Sequence, residues 1–313
     1  MRVPGRIVSL LPSATELLFA IGAGDQVVAV THECDHPAAT RGLPVVTRDL
    51  LDHAASAPAE IDRHISSARH QGSSIYALDE ARLGELQPDL IVTQELCDVC
   101  AVAYRDVAQA VRSLPGATAV LSLEPASLDD ILATVITLGE ATGQSEGAAR
   151  LAGQMRDRIG AVRSLPPPSP LPVTACIEWT DPIMAGGHWV PEMVESCGGI
   201  DPLGERGRPS RYVEWEEILA AQPDVMVLMP CGFGLDRTLT LASEITARPG
   251  FAELPCARTG RVAAVDGSSY FNRPGPRIVD GLEILATVLR SQPGAPIAPG
   301  AAWVQPAQRA ALA

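Results

Sequence analysis

The sequence predicts an α/β protein of two lobes, each a doubly wound parallel sheet, joined by one long α-helix. Three observations carry this prediction. With 313 residues and 46% hydrophobic content, the chain exceeds what one core usually accommodates, so two lobes are the expected arrangement. Short β-branched runs alternate with helical segments in both halves, the pattern of parallel strands joined by helical crossovers. Between the halves lies a strand-free stretch that ends in "LPPPSPLPV", residues 165–173.

The first lobe is assigned residues 1–126, with strands at Arg6–Leu11, Val27–Thr31, Asp89–Thr93 and Thr118–Leu123. A Pro-Ser turn leads into a helix from Ala14 to Ile21, stopped by Gly22 and Gly24. Across residues 127–164, Leu128, Ile131, Leu132, Val135 and Leu138, then Leu151, Met155, Ile159 and Val162, recur at three- and four-residue steps. One long connecting helix is therefore predicted. Gly139, Gly143 and Gly147 weaken its middle by roughly 1 kcal/mol each, with Gly143 marking the place for a break. The prolines of 165–173 fix φ and remove donors, so no helix continues through them. The second lobe, residues 165–291, takes strands at Val173–Trp179, Val225–Pro230 and Arg261–Val265. Its helices are Val190–Cys197, Glu214–Ala221, Leu239–Thr246 and Arg277–Arg290, and residues 292–313 form a Pro/Ala-rich tail expected to fray.

Charge and composition exclude several function classes. The chain carries 24 basic and 37 acidic residues, a formal charge of −13, which repels a phosphate backbone, so no nucleic-acid partner is expected. No apolar run of about 18 residues occurs, so no membrane span is expected. The opening "MRVPGRIVSLLPSATELLFAIGAG" imitates a secretory signal, but Pro12, Ser13, Thr15 and Glu16 interrupt its apolar middle. It parses instead as the first strand and helix, and a cytoplasmic monomer is the expectation. Seven cysteines, an odd number, fit a reducing compartment better than a disulfide framework. There is no Walker loop, no G-x-G-x-x-G after the first strand and no G-x-S-x-G elbow, so no catalytic residue is assigned.

The candidate site follows from strand ends. In open parallel sheets, ligands bind outside the carboxyl ends of the strands, where loops converge. Pro12 and the segment Glu33-Cys34-Asp35-His36 occupy such positions in the first lobe, as does Glu95 to Cys100. In the second lobe Glu178-Trp179-Thr180-Asp181, Cys231-Gly232-Phe233 and Tyr270-Phe271-Asn272-Arg273 do the same. Cys97 and Cys100 form a C-x2-C pair, and with Cys34 and Cys231 they would make a four-sulfur set for zinc or an iron–sulfur cluster. A redox dithiol at Cys97 and Cys100, or burial as packing residues, are the alternatives. Cys176, Cys197 and Cys256 are read as packing. His188, after Gly186-Gly187, is either a ligand contact or a helix cap. Trp179 and Trp189 would stack on a flat ligand or would fill the core.

"RIVSLLPSATELLFAIGAGDQVVAVT", "HPAATRGLPVV", "EEILAAQPDVMVLMP" and "RTGRVAAVDG" closely resemble the class III, helical-backbone substrate-binding proteins of ABC importers for vitamin B12 and ferric siderophores. The resemblance covers residues 5–290. It implies a non-enzymatic protein that takes a corrinoid or other metal chelate in a cleft between the lobes, with limited lobe opening and an ABC permease as partner. Cobalamin is then a ligand rather than a cofactor. Against the pattern stand an opening that is not expected to act as an export signal and the cysteines at strand ends. A cytosolic metalloprotein or enzyme holding zinc or an iron–sulfur cluster on those cysteines is the alternative.

Overall fold

The computed structural model describes residues 3–51, 56–71, 76–94, 110–111 and 117–305. The fold is mixed α/β and divides into two units. The first comprises Met1–Pro125, Asp129–Arg156 and Pro274–Pro276; the second comprises Ala126–Leu128, Asp157–Arg273 and Arg277–Ala313.

The first unit contains β1 (Ile7–Ser9), β2 (Val27–Ala29), β3 (Thr47–Asp49), β4 (Tyr76–Leu78), β5 (Leu90–Thr93) and β6 (Ala119–Ser122). Four of these form a parallel sheet in the order β2-β1-β5-β6. Ile7, Val8, Ile91 and Val92 are fully buried, as expected of parallel strands covered on both faces. Helix α1 (Pro12–Ile21) follows β1 with two residues between them. Its first position is a proline, whose missing N–H costs nothing there. It stops at Gly22, which adopts φ +97°, while the Ala23 N–H donates back to the Leu18 carbonyl at 2.8 Å. The antiparallel ribbon β3–β4 has no counterpart in the sequence reading, because its strands, TRD and YAL, form no β-branched apolar run.

Helices α2 (Pro58–Gln71) and α3 (Glu80–Leu86) also belong to this unit. The stretch read as one connecting helix is two, α4 (Leu128–Thr142) and α5 (Ser145–Arg163). The chain breaks at Gly143, which adopts φ +74°. Its neighbour Gly147 has a different purpose. A Cβ there would overlap the carbonyl oxygen of Ile21 at the end of α1, so the absent side chain is what lets the two backbones meet. Gly147→Ala is therefore expected to destabilise the protein by about 1–3 kcal/mol through overpacking, although alanine is the better helix former. A thermal melt in which the alanine variant is the more stable would contradict this packing.

The second unit has one six-stranded sheet, built from β7 (Thr174–Thr180), β8 (Ile183–Ala185), β9 (Arg211–Tyr212), β10 (Val225–Leu228), β11 (Val262–Val265) and β12 (Ala301–Trp303). The order is β12-β11-β10-β7-β8-β9. Only β7, β10 and β11 run parallel; β8, β9 and β12 pair antiparallel with their neighbours. The tail beyond Gln292 thus does not simply fray. Residues 301–303 pair with β11, and the buried Trp303 indole donates to the Ala295 carbonyl at 3.1 Å. The helices are α6 (Val190–Ser196), α7 (Trp215–Ala221), α8 (Leu235–Thr246), α9 (Pro255–Thr259), α10 (Gly267–Tyr270) and α11 (Ile278–Arg290). α11 buries Ile278, Leu282, Leu285 and Leu289 along one stripe. Among the described residues no helix is long and apolar enough to cross a membrane.

Candidate functional site

In the first unit, the carboxyl ends of β1 and β2 carry a chain of hydroxyls and one thiol. Thr15 Oγ1 donates to Ser9 Oγ at 2.8 Å, and the Cys34 sulfur lies 3.1 Å from Thr15 Oγ1 and 3.3 Å from Thr31 Oγ1. Cys34 is half-buried. Glu33, also half-buried, donates its backbone N–H to Thr31 Oγ1 at 3.1 Å, and its carboxylate sits 3.6 Å from His32 Nε2. Pro12 is buried as the first residue of α1, which makes it a helix-initiating residue rather than an exposed contact. Glu95, Cys97 and Cys100 lie outside the described residues.

In the second unit, β7 continues past its last parallel pairing with β10, at Ile177, and turns back as a hairpin into β8. Glu178 and Trp179 are therefore strand residues projecting beyond the parallel core, not loop residues after it. Trp179 is buried, with its indole N–H on the Asp181 carbonyl at 3.1 Å. Its ring lies 5.2 Å from that of Phe233, also buried, and the Arg237 guanidinium stacks 3.8 Å above the Phe233 ring. This cation–π contact makes Arg237 the outermost layer of a three-residue stack. Sequence reasoning missed it. The available signal was an aromatic residue at Phe233, just before the N-cap Gly234, with a cation at Arg237 in the first turn of α8.

His188 adopts φ +51°, and its Nε2 is buried without a hydrogen-bond partner among the described residues. Burial lowers its pKa below the ordinary histidine value, so the imidazole is neutral near pH 7. Its backbone is clamped, with its N–H on the Arg208 carbonyl at 2.6 Å and the Gly207 N–H on its own carbonyl at 2.9 Å. Glu178 accepts from Ser210 Oγ at 2.8 Å and the Gly187 N–H at 3.2 Å, while burial pushes its pKa up. Gly187 has no room for a Cβ, which would overlap the backbone of Pro209 and Ser210.

Two aromatic candidates turn out to be core. Trp189 is 4% exposed and Phe271 is fully buried, and the Trp189 indole N–H donates to the Phe271 carbonyl at 2.8 Å. The loop after α10 closes onto the start of α6, so both rings point inward. Tyr270, Asn272 and Arg273 remain half-buried. The Arg277 guanidinium stands 5.8 Å from the Tyr270 ring. Asn272 donates its backbone N–H to the Gly267 carbonyl at 2.9 Å, and its Oδ1 is buried without a partner among the described residues.

Cys231, half-buried after β10, donates its backbone N–H to the Glu178 carbonyl at 3.0 Å. Cys34 and Cys231 belong to different units. Among the described residues no three His, Cys, Asp or Glu side chains are grouped so as to hold a metal ion; Cys97 and Cys100 of the four-sulfur set lie outside them. Cys176, Cys197 and Cys256 are buried, and burial raises their pKa values, the last two to about 12. Because the thiolate is the reactive form, iodoacetamide followed by peptide mapping is expected to modify Cys34 and Cys231 in the native protein. Cys176, Cys197 and Cys256 are expected to react only after unfolding, and rapid native labelling of any of these three would contradict the placement.

Residues 7–268 match a family described as periplasmic binding protein. The chain belongs to this family. Among relatives in it, the vitamin B12-binding protein of Vibrio cholerae is 27% identical over 288 residues, covering 91% of this chain and 89% of that one. A cobalamin-binding protein of Halobacterium salinarum is 26% identical over 293 residues, covering 92% of this chain and 70% of that one. Solved family structures have the same fold. The possible iron-binding periplasmic solute-binding protein of Staphylococcus epidermidis superposes with a TM-score of 0.69 at 22% identity, covering 93% of this chain and all of the other. The apo periplasmic heme-binding protein of Roseiflexus sp. RS-1 gives 0.66 at 25% identity, with 91% and 97% covered.

Proposed function

We propose that this family member is the substrate-binding component of an ABC import system, carrying a corrinoid or related flat metal chelate without transforming it. The observation that carries the reading is the near full-length relationship to vitamin B12-binding proteins, which extends through both units. The half-buried Tyr270 and Arg237, the latter stacked over the buried Phe233 ring, support it: an aromatic ring and a cation lie near the carboxyl end of the second sheet. Such a surface suits a ligand with a flat apolar face and polar side arms. Nothing in this reading calls for a nucleophile or a general acid.

Equilibrium dialysis against cyanocobalamin, hemin and a ferric hydroxamate separates the cargo classes. Cobalamin is expected to be retained at least tenfold more tightly than either iron chelate. Stronger retention of hemin or of the hydroxamate would replace the corrinoid with that class.

A further inference from the structure

At the opposite edge of the second sheet, where its parallel strands begin, lies a cavity of about 400 Å³ lined by Pro168, Pro170, Asp224, Arg261, Leu289 and Arg290, among others. Asp224 immediately precedes β10 and Arg261 immediately precedes β11. Glu178, Cys231 and Asp266 stand at the other ends of the same strands, so this cavity is separate from the aromatic stack.

The two arginines are only partly satisfied. Arg261 Nη2 donates to the Leu289 carbonyl at 2.8 Å, and Arg290 donates from Nη1 to the Ala286 carbonyl at 3.1 Å and from Nη2 to the Pro166 carbonyl at 3.3 Å. Bracing the end of α11 accounts for those bonds. It does not account for Nε. The Nε atoms of both arginines are buried with no hydrogen-bond acceptor among the described residues. An N–H left this way costs about 1–3 kcal/mol, and more on a charged group, and both residues line the cavity. Asp224 is the one acid among the lining residues, and its Oδ2 already accepts the Val173 N–H at 2.9 Å. Two guanidiniums against one carboxylate leave the lining with a net positive charge.

We propose that this cavity is an oxyanion site in which Arg261 and Arg290 receive a phosphate or carboxylate group. Guanidinium forks match the oxygen spacing of either group, and the volume leaves room for a small molecule bearing it.

Thermal melts and calorimetry with sodium phosphate and with citrate, against sodium chloride at matched ionic strength, test the site and distinguish the two groups. The wild-type chain is expected to show saturable stabilisation by at least one of them beyond that given by chloride. Arg261→Gln and Arg290→Gln are each expected to weaken it at least tenfold, and Asp224→Asn to strengthen it several-fold. The opposite sign of the asparagine variant separates anion binding from a general loss of folding. No saturable effect beyond chloride, or equal effects in wild type and all three variants, would overturn the proposal.

Discussion

Glu192→Ala is expected to lower the stability of the second unit by about 3 kcal/mol. Glu192 is 1% exposed and sits in the first turn of α6. Its Oε1 accepts from Arg163 Nη2 at 2.9 Å and Arg206 Nη2 at 2.7 Å, while Oε2 accepts the Leu128 backbone N–H at 2.9 Å. One carboxylate thus joins the first residue of α4, the last residue of α5 and the loop after α6. The arginine side chains are 43% and 51% exposed, so water resolvates them when the partner is lost and the ion pairs themselves contribute modestly. The larger loss is the buried acceptor for Leu128 and the volume left in a packed helix. At roughly 2–4 °C per kcal/mol for a unit of this size, the melting temperature should fall by about 6–12 °C. Glu192→Gln, which keeps an acceptor for Leu128 but drops the charge, should cost about 1 kcal/mol. A shift below about 2 °C for the alanine variant would remove this carboxylate from its joining role.

Arg237→Ala should leave stability within about 1 kcal/mol of the wild type and weaken corrinoid binding roughly tenfold, equivalent to about 1.4 kcal/mol. The guanidinium is half-exposed above the Phe233 ring, so its removal opens little core. It takes away the cation that would meet the polar arms of a bound chelate. Trp189→Phe supplies the opposite pattern. The indole is buried, and losing its bond to the Phe271 carbonyl should cost about 1–3 kcal/mol with affinity changed less than about threefold. If Trp189→Phe abolished binding at unchanged stability while Arg237→Ala bound normally, the ligand surface would have been placed on the wrong aromatic residues.

These contrasts mark where sequence reasoning works and where it stops. Strand–helix alternation was legible because fully buried parallel strands such as Leu90–Thr93 and Val225–Leu228 are continuous apolar runs. The antiparallel strands β8, β9 and β12 were not, since two or three residues are held in place by a neighbour rather than by their own pattern. Gly143 could be read as a break, but Gly147 looked like the same kind of weakness and is instead a contact with the backbone of α1. Phe233, Cys231 and Tyr270 do follow strands, as read from the sequence, yet apolar character alone does not say which way a ring turns. Trp189 and Phe271 went to the core because the Trp189 N–H found a carbonyl there. Arg237 escaped notice because its importance lies in a stacking distance, which no composition reveals.

The account stands most directly on a calorimetric titration of the purified chain with cyanocobalamin. Saturable heats at one ligand per chain, with a Kd of about 1 μM or tighter, are the expected result. No heat with ligand near 1 mM, in protein whose melting curve remains cooperative, would contradict the corrinoid assignment.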